Sequence, residues 1–403
     1  MGNCSISCAN DSHVAPRNKE FVTDPDYEED MEQSALKIQA HYRGVQARKK
    51  YKEAKRESIA LTENSKDPYS AGGAKTHRTT YIETTRVKTQ ESVRSNYKFI
   101  DNIPPSQNKA VQEVLAKLGP FDYSQHKELV EEFLGYPIFH PIQLDNGVIY
   151  AGQWSEQPQP QGQDLSLQTS TKGMMGAVRH GKGKQIWPDG SIYEGFWRND
   201  KAEGYGRLIH ADGDYYEGEW RNDKAHGKGR YEHPNGTFYQ GDWVCDVQEG
   251  LGIEKYIDGS VFEGRFLNGV KNGEGQFRWL DGSTYTGMVK NNKFEGKGHY
   301  EWANGRTYEG EWADSKMNGY GVFTWRDGRK YEGHYKDDKK EGYGVYLLPD
   351  GRKYEGEWKN GLQHGKGRMI SKDGKIRVGV WSNGKRVQWE ASTESDAIES
   401  PRV

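Results

Sequence analysis

A repeat of 23 residues runs through the second half of this 403-residue chain and limits its fold more than any other feature. In each repeat an aromatic residue is followed by glycine two residues later and by a large apolar residue four residues later. One such unit cannot bury its own apolar face, so we expect the repeats to stack on one another. The aromatic residues are Tyr193, Tyr216, Tyr239, Phe262, Tyr285, Tyr308, Tyr331 and Tyr354.

The residue order within one repeat predicts two β-strands. Tyr216, Gly218 and Trp220 alternate with Glu217 and Glu219, so the first strand has an apolar face and a face of carboxylates. We expect the carboxylates of this second face to be solvated rather than catalytic. Their row comprises Glu194, Glu217, Glu309, Glu332 and Glu355.

Turn residues separate the predicted strands. Residues 222–224, Asn-Asp-Lys, predict a turn inside the repeat, and Asn235–Gly236 predicts a two-residue hairpin turn into the next repeat. The chain should therefore be a continuous antiparallel meander. We expect the glycines at 218, 227 and 229 to leave room for the large aromatic side chains, since no phosphate-binding G-x-x-x-x-G-K-[ST] sequence occurs.

The composition favours an aromatic core over an aliphatic one. Hydrophobic residues make up only 33% of the chain, aromatic residues reach 12%, and the mean hydropathy is −1.03. The net charge of −2 argues against nucleic-acid binding, because phosphates would stay unneutralised. Residues 285–376 carry a net charge of +4, which leaves weak contact with anionic lipids open.

The repeat period, the aromatic positions and the turn glycines together resemble the MORN repeat family over residues 193–376. A first repeat starts at Tyr150 and resumes at His180, so its middle is an insertion at residues 155–178 rich in Gln, Pro and Ser. After Ile376 the pattern fades, although Gly379 and Trp381 remain.

The N-terminus resembles a dual-acylation signal. Gly2 would accept myristate after removal of Met1, and Cys4 and Cys8 would accept palmitate. The sequence departs from the myristoylation pattern at Ile6, where Ser or Thr is usual. Two acyl chains would anchor the chain stably to a membrane, whereas one anchors only marginally.

Residues 34–51 resemble an IQ motif, which implies binding of calmodulin or a related EF-hand light chain. Hydrophobic residues recur at helical spacing, and residues 35–56 hold eight basic residues and one acidic residue, so an acidic partner with an apolar groove is the natural match. A basic helix near a lipidated terminus would also suit a membrane surface. The expected calmodulin-binding residues are Ile38, Gln39, Tyr42, Arg43, Gly44, Arg48 and Tyr51.

Two short helices are predicted just before the repeats. Val111 and Leu115 belong to the first, which Gly119 ends, and Leu129 and Phe133 belong to the second. These helices would suit a cap on the open end of the array.

The predicted fold class is mainly β: an elongated solenoid of antiparallel MORN hairpins, with a short helical cap and a largely disordered N-terminal arm that carries one IQ helix. The expected segments are an acidic arm at 1–30, the IQ helix at 31–56, a disordered linker at 57–105, the cap at 106–145, the array at 146–384 and a polar tail at 385–403.

These features favour a non-enzymatic scaffold that binds calmodulin and organises proteins at a membrane, cortex or cilium. The ciliary setting and the axonemal or cytoskeletal partners are implied only by the resemblance to protist MORN proteins. The alternative is a phosphoinositide-binding adaptor or a regulatory subunit in lipid-kinase signalling. We expect no catalytic residue, metal site or cofactor, and a location on the cytoplasmic side, since three cysteines are too few for a disulfide framework.

Overall fold

A computed structural model of the chain describes residues 103–144, 146–156 and 177–390. The chain divides into two compact units, whose described parts are residues 103–293 and 294–390. Within each unit the strands pair antiparallel in chain order, which confirms the predicted mainly β class built from hairpins.

The first unit starts with helical turns and continues as strands. It contains α1 (Lys109–Leu118), a 3-10 helix (Tyr123–Gln125) and α2 (Lys127–Glu132). Its strands are β1 (Ile138–Gln143), β2 (Ile149–Glu156), β3 (Ala177–Ile186), β4 (Ile192–Arg198), β5 (Lys201–Ile209), β6 (Tyr215–Arg221), β7 (Lys224–Glu232), β8 (Phe238–Val244), β9 (Val247–Lys255), β10 (Val261–Leu267), β11 (Val270–Arg278) and β12 (Thr284–Lys290).

The described part of the second unit consists of strands and turns. The strands are β13 (Lys293–Glu301), β14 (Thr307–Ala313), β15 (Lys316–Thr324), β16 (Lys330–Lys336), β17 (Lys339–Leu347), β18 (Lys353–Lys359), β19 (Leu362–Ile370), β20 (Ile376–Ser382) and β21 (Lys385–Trp389). Strand β21 pairs with β20 and occupies the start of the segment that we predicted to be a polar tail.

The core of each repeat lies on the aromatic face of the sheet, which in one repeat carries Tyr216, Gly218 and Trp220. The Tyr216 ring packs edge-on against Trp220 of its own repeat and Trp243 of the next, with centroids 5.1 and 5.3 Å apart. Its hydroxyl donates to the carbonyl of Glu219 at 2.9 Å. These edge-on contacts link successive repeats through their largest side chains.

Glycine at two positions makes room for this ring. A Cβ on Gly229 would lie 2.2 Å from the Tyr216 hydroxyl, and one on Gly218 would lie 2.4 Å from the Gly229 Cα. Both distances are far below van der Waals contact, so the predicted packing role is confirmed. Gly227 differs, because it has a φ of +59° and lies where the register between β6 and β7 shifts. Glycine adopts such a φ at no steric cost, whereas most residues with a side chain are strained there.

The two turns of the repeat are of different types. Asn222 and Asp223 have φ values of +50° and +65°, as in a two-residue type I′ hairpin. The turn at Asn235–Gly236 is not a two-residue turn, so that prediction was wrong. Gly236 N donates to His233 O, and His233 N donates to Thr237 O, which makes a three-residue loop. The same loop forms at His210–Asp214, which has Ala211 in place of Pro234, so the shared feature is the glycine at the third loop position, Gly236, with a φ of +82°.

An aspartate in the type I′ turn links neighbouring repeats. Asp223 N donates to Ala202 O at 3.0 Å, and Asp223 Oδ1 accepts from Ala202 N at 2.7 Å. Asp338 forms the same two bonds with Met317, at 3.0 and 2.7 Å. Burial raises the pKa of Asp338 to about 6. The turn thus connects repeats through both backbone and side chain.

Candidate interaction surface

The opposite side of the sheet is the carboxylate face, which in one repeat carries Glu217 and Glu219. In the first unit, residues 103–136 lie across this face from β3 to β7, rather than capping the end of the array as we predicted. The end is formed instead by β1, which pairs with β2 and lies inside the range predicted to be the cap. Pro141 fits an end strand, because proline has no backbone N–H to donate to a neighbouring strand.

Helix α1 is fixed to the loops between strands. The Asn108 side chain caps the helix by accepting from Ala110 N at 3.0 Å, and its Nδ2 donates to the carbonyls of Asp189 and Ala211. At the other end, Lys117 Nζ lies 2.6 Å from Glu232. Helix α1 thus binds three separate elements of the sheet.

Apolar residues that break the polar pattern of the carboxylate face lie beneath α1. Val111 and Val114 of the helix pack in one buried cluster with Ile192, Ile209 and Tyr215 of the sheet. These sheet residues would otherwise be exposed to water. Their burial explains why a helical segment lies here rather than at the end of the array.

A buried ion pair lies between this segment and the sheet. Glu194 and Arg207 are 6% and 3% exposed, and their charged atoms are 2.7 Å apart. Lys184 also contacts Glu194 at 3.0 Å, and Arg207 donates to the carbonyl of Gly119 at 2.8 Å. Glu194 was predicted to be solvated, and that was wrong, because residues 103–136 cover this part of the row.

Aromatic stacking holds the second half of the segment. The His126 ring stacks on Tyr205 with centroids 4.0 Å apart, and Phe133 stacks on Phe196 at 6.0 Å. Burial lowers the pKa of His126, which favours the neutral ring. The 3-10 helix adds a hydrogen bond of 3.0 Å from the Tyr123 hydroxyl to Gly183 O.

A cleft of about 520 Å³ opens beside α2. Arg198 and His226 contribute basic groups to its lining, and Glu203 and Glu219 contribute carboxylates. Because both signs of charge are present, the cleft does not select one class of charged ligand.

The second unit carries an uncovered counterpart of this surface among its described residues. Tyr320 and Tyr343 occupy the repeat position of Tyr205, and they are 37% and 50% exposed. The Tyr320 hydroxyl donates to Glu332 at 2.7 Å, and its ring meets His334 edge-on. Burial and the bond to Glu332 raise the pKa of Tyr320 to about 12.

Half-buried aliphatic side chains lie beside these two tyrosines on the same face, at the repeat positions of Arg207 and Ile209. Together with the tyrosines they form what we term the tyrosine patch, which comprises Tyr320, Val322, Tyr343, Val345 and Leu347. The neighbouring strands carry exposed groups of both signs, the carboxylates Glu309, Glu311 and Glu357 and the lysines Lys336 and Lys359.

Three basic side chains next to the tyrosine patch are paired with carboxylates. Lys330 contacts Glu332 at 2.8 Å, while Lys353 and Arg368 both contact Glu355. The hydrogen bonds from Lys330 and Tyr320 lower the pKa of Glu332. The positive charge of residues 285–376 is therefore partly neutralised on this face.

The predicted acylation and calmodulin-binding residues lie outside the described part of the chain. These residues are Gly2, Cys4, Cys8, Ile38, Gln39, Tyr42, Arg43, Gly44, Arg48 and Tyr51.

Comparison with protein families identifies both predicted motifs. Nine segments match the MORN repeat model, at residues 176–192, 193–215, 216–238, 239–261, 262–284, 285–305, 308–328, 331–351 and 354–376. The chain contains nine MORN repeats. Residues 32–52 match the IQ calmodulin-binding motif, and this range includes every residue that we assigned to calmodulin binding. The two matches support a MORN-repeat module for protein interactions that binds calmodulin or a related light chain.

Solved structures show only distant likeness to the MORN array. The TCP10 domain of Danio rerio CPAP is 10% identical, and the match covers 63% of this chain and 100% of that one with a TM-score of 0.26. The TCP domain of Drosophila melanogaster SAS-4, in complex with a proline-rich motif of Ana2, is 12% identical over 39% of this chain and 86% of that one, with a TM-score of 0.26. Scores this low support no inference about function.

The search of curated proteins found no match. Within the described residues, no helix is both long and apolar enough to cross a bilayer.

Sequence reasoning missed the residues that hold the helical segment on the MORN array. Their signal is present in the sequence, because apolar residues stand where later repeats have polar ones. Phe196 corresponds to Glu219, and Ile209 corresponds to Glu232. A repeat-by-repeat comparison of the carboxylate face would have found them. The same comparison identifies Tyr320 and Tyr343.

Proposed function

We propose that the protein is a non-enzymatic scaffold that binds calmodulin, or a related EF-hand light chain, and assembles other proteins on its MORN array. The observation that carries this proposal is the IQ match at residues 32–52 in the same chain as nine MORN repeats. Binding modules joined in one chain hold their partners at high local concentration.

The carboxylate face supports the role of the array as a binding surface. In the first unit this face holds residues 103–136 through apolar burial, ring stacking and ion pairs. These are the interactions that hold an amphipathic helix in a protein complex. In the second unit, the exposed Tyr320 and Tyr343 offer similar chemistry to a further helix.

The proposed site of action is a membrane, cell cortex or cilium. Gly2, Cys4 and Cys8 are placed for dual acylation, and two acyl chains would hold the scaffold stably at a membrane. The basic segment at residues 35–56 would add attraction to anionic lipids.

A phosphoinositide-binding adaptor is the second candidate, favoured by the net charge of +4 over residues 285–376. The pairing of Lys330, Lys353 and Arg368 with carboxylates weighs against it, since paired cations attract phosphate less strongly. Binding of the full chain to phosphoinositide vesicles that weakens with salt, and that Lys330→Gln/Arg368→Gln reduces, would favour the adaptor.

Proximity labelling in the source cell tests the scaffold directly. The wild-type chain should label calmodulin together with membrane or cytoskeletal proteins, and Gly2→Ala should lose the membrane neighbours but keep calmodulin. An identical set of neighbours for both chains would contradict the acyl anchor, and absence of structural proteins from both sets would contradict the scaffold.

A further inference from the structure

One side-chain position links each repeat to the type I′ turn of the next repeat. In four repeats a carboxylate at this position accepts a hydrogen bond from the first amide of that turn. These bonds are 2.8 to 3.2 Å long and join Glu203 to Asn222 N, Glu249 to Asn268 N, Glu295 to Asp314 N and Glu341 to Asn360 N.

His180 of β3 occupies the same repeat position and takes the place of the carboxylate. Its Nδ1 accepts from the backbone N–H of Asn199 at 3.3 Å. A ring nitrogen accepts a hydrogen bond only while it carries no proton, so this bond requires the neutral imidazole. A carboxylate stays ionised down to about pH 4, whereas an imidazole takes up a proton near pH 6.5. The link at His180 is therefore sensitive to mild acid.

His180 also lies beneath the second half of the segment that covers the carboxylate face. The side chain is 8% exposed, and its ring centroid lies 5.2 Å from that of Phe133 and 4.7 Å from that of Tyr136. Gln153 holds the same end of the segment, because its Nε2 donates to Phe133 O at 2.8 Å. One imidazole thus contacts both the covering segment and the turn of the next repeat.

Charged groups face the His180 ring from the elements around it. Glu132 of α2 favours the protonated ring and Arg198 of β4 opposes it, and the two are themselves an ion pair. Burial lowers the pKa of Lys182, the next residue on this face of β3, to about 8, so its ammonium stays mostly charged below pH 7.5. Burial also lowers the pKa of His180 and outweighs the Asn199 side chain and Glu132, which favour the charged ring.

We propose that His180 is a pH switch, which holds residues 127–136 on the array while it is neutral and releases them when it is protonated. Protonation removes the acceptor for Asn199 N and places a charge beneath Phe133, where water does not reach it. Release would hydrate this charge and would uncover Phe196, on which Phe133 stacks. Acid would thus open part of the carboxylate face to a partner, whether or not the chain binds calmodulin.

The other parts of the covering segment should respond less to acid. Residues 103–118 contain no histidine, so α1 should stay in place. His126 stacks on Tyr205, but it lines the open cleft together with the carboxylates of Glu203 and Glu219. A charge on His126 would meet water and anions, so its protonation should weaken the packing less than that of His180.

Hydrogen–deuterium exchange of the full chain at pH 7.5 and pH 5.0, corrected for the intrinsic pH dependence of exchange, tests the switch. Because burial lowers the pKa of His180, its contribution is fully present above about pH 6.5 and is lost as pH falls below that value. Residues 127–136 should lose at least about fivefold in protection at pH 5.0, and α1 less than about twofold. Equal protection of residues 127–136 at both pH values would overturn the proposal.

His180→Gln is the decisive variant, because its amide oxygen accepts from Asn199 N and does not titrate. Residues 127–136 should stay protected at pH 5.0 in this variant, whereas the matched control His126→Gln should keep the loss in acid. His180→Glu, which carries the side chain of Glu203, serves as a second replacement. A loss in acid that persists in the His180 variants would overturn the switch. So would residues 127–136 that are unprotected at pH 7.5 in both variants, since an acceptor at this position should hold them.

Discussion

Arg207 and Glu194 form an ion pair of 2.7 Å beneath residues 103–136, and both side chains are more than nine-tenths buried. This pair joins two adjacent strands to the covering segment, because Arg207 also donates to Gly119 O. Removing one partner of a buried pair leaves the other charge without compensation.

Glu194→Gln should therefore destabilise the packing of residues 103–136 on the carboxylate face by about 3 kcal/mol. Urea titration, with exchange of the α1 amides as a local readout, measures the effect. Glu263→Gln is the matched control, since Glu263 occupies the same repeat position and contacts Arg278 in an exposed pair of 3.5 Å. The control should change stability by no more than about 0.5 kcal/mol. Equal effects at the two positions would contradict the buried pair.

Gly229→Ala tests the packing of the aromatic face. The new Cβ would lie 2.2 Å from the Tyr216 hydroxyl and would displace a ring that is 3% exposed. We expect a loss of about 3 kcal/mol in the opening free energy of β6 and β7, measured by native-state hydrogen exchange. Gly236→Ala, which meets no atom within 4 Å but has a φ of +82°, should cost about 1 kcal/mol.

Asp338 should make the second unit less stable as pH rises. Its pKa of about 6 in the folded state lies above the ordinary value of 3.8 for an aspartate. Its contribution to stability is therefore fully present below about pH 4 and is lost as pH rises through about 6. Asp338→Asn keeps an oxygen for Met317 N and should stabilise the unit at pH 7.5 by about 1–3 kcal/mol relative to wild type.

The gain from Asp338→Asn should vanish at pH 4, which thermal unfolding at the two pH values measures. Asp337→Asn is the control, because Asp337 is exposed and pairs with Lys316 at 3.5 Å. A gain of equal size at both pH values would show that burial of charge is not the cause.

The repeat and its aromatic core are predictable from sequence because they depend on local spacing. Tyr216, Gly218 and Trp220 fall on one face of a strand by simple alternation, and the ring needs the space that Gly229 leaves. The turn at Asn235–Gly236 was misassigned because the Asn-Gly pair forms the last two residues of a three-residue loop, in which Gly236 takes the left-handed position. The Asn-Gly pair alone does not show that the loop also includes the residue before it.

The covered face was missed because its partner lies far away in the sequence. Glu194 looks like Glu217 or Glu309 when each repeat is considered alone, and only residues 103–136 make it buried. Period and alternation describe one repeat and its neighbours, whereas the contact of Arg207 with Gly119 spans 88 positions. Apolar residues at repeat positions that are usually polar indicate such contacts, and Phe196 is the clearest example.

Isothermal titration of calmodulin into the full chain tests the central claim most directly. The wild type should bind one calmodulin per chain with a Kd below about 1 μM in calcium or in its absence. Ile38→Ala/Gln39→Ala/Arg43→Ala should weaken binding at least about tenfold, while Ile59→Ala, outside the motif, should not. Absence of binding to the wild type under both conditions, or equal affinity in the triple variant, would contradict a calmodulin-binding scaffold.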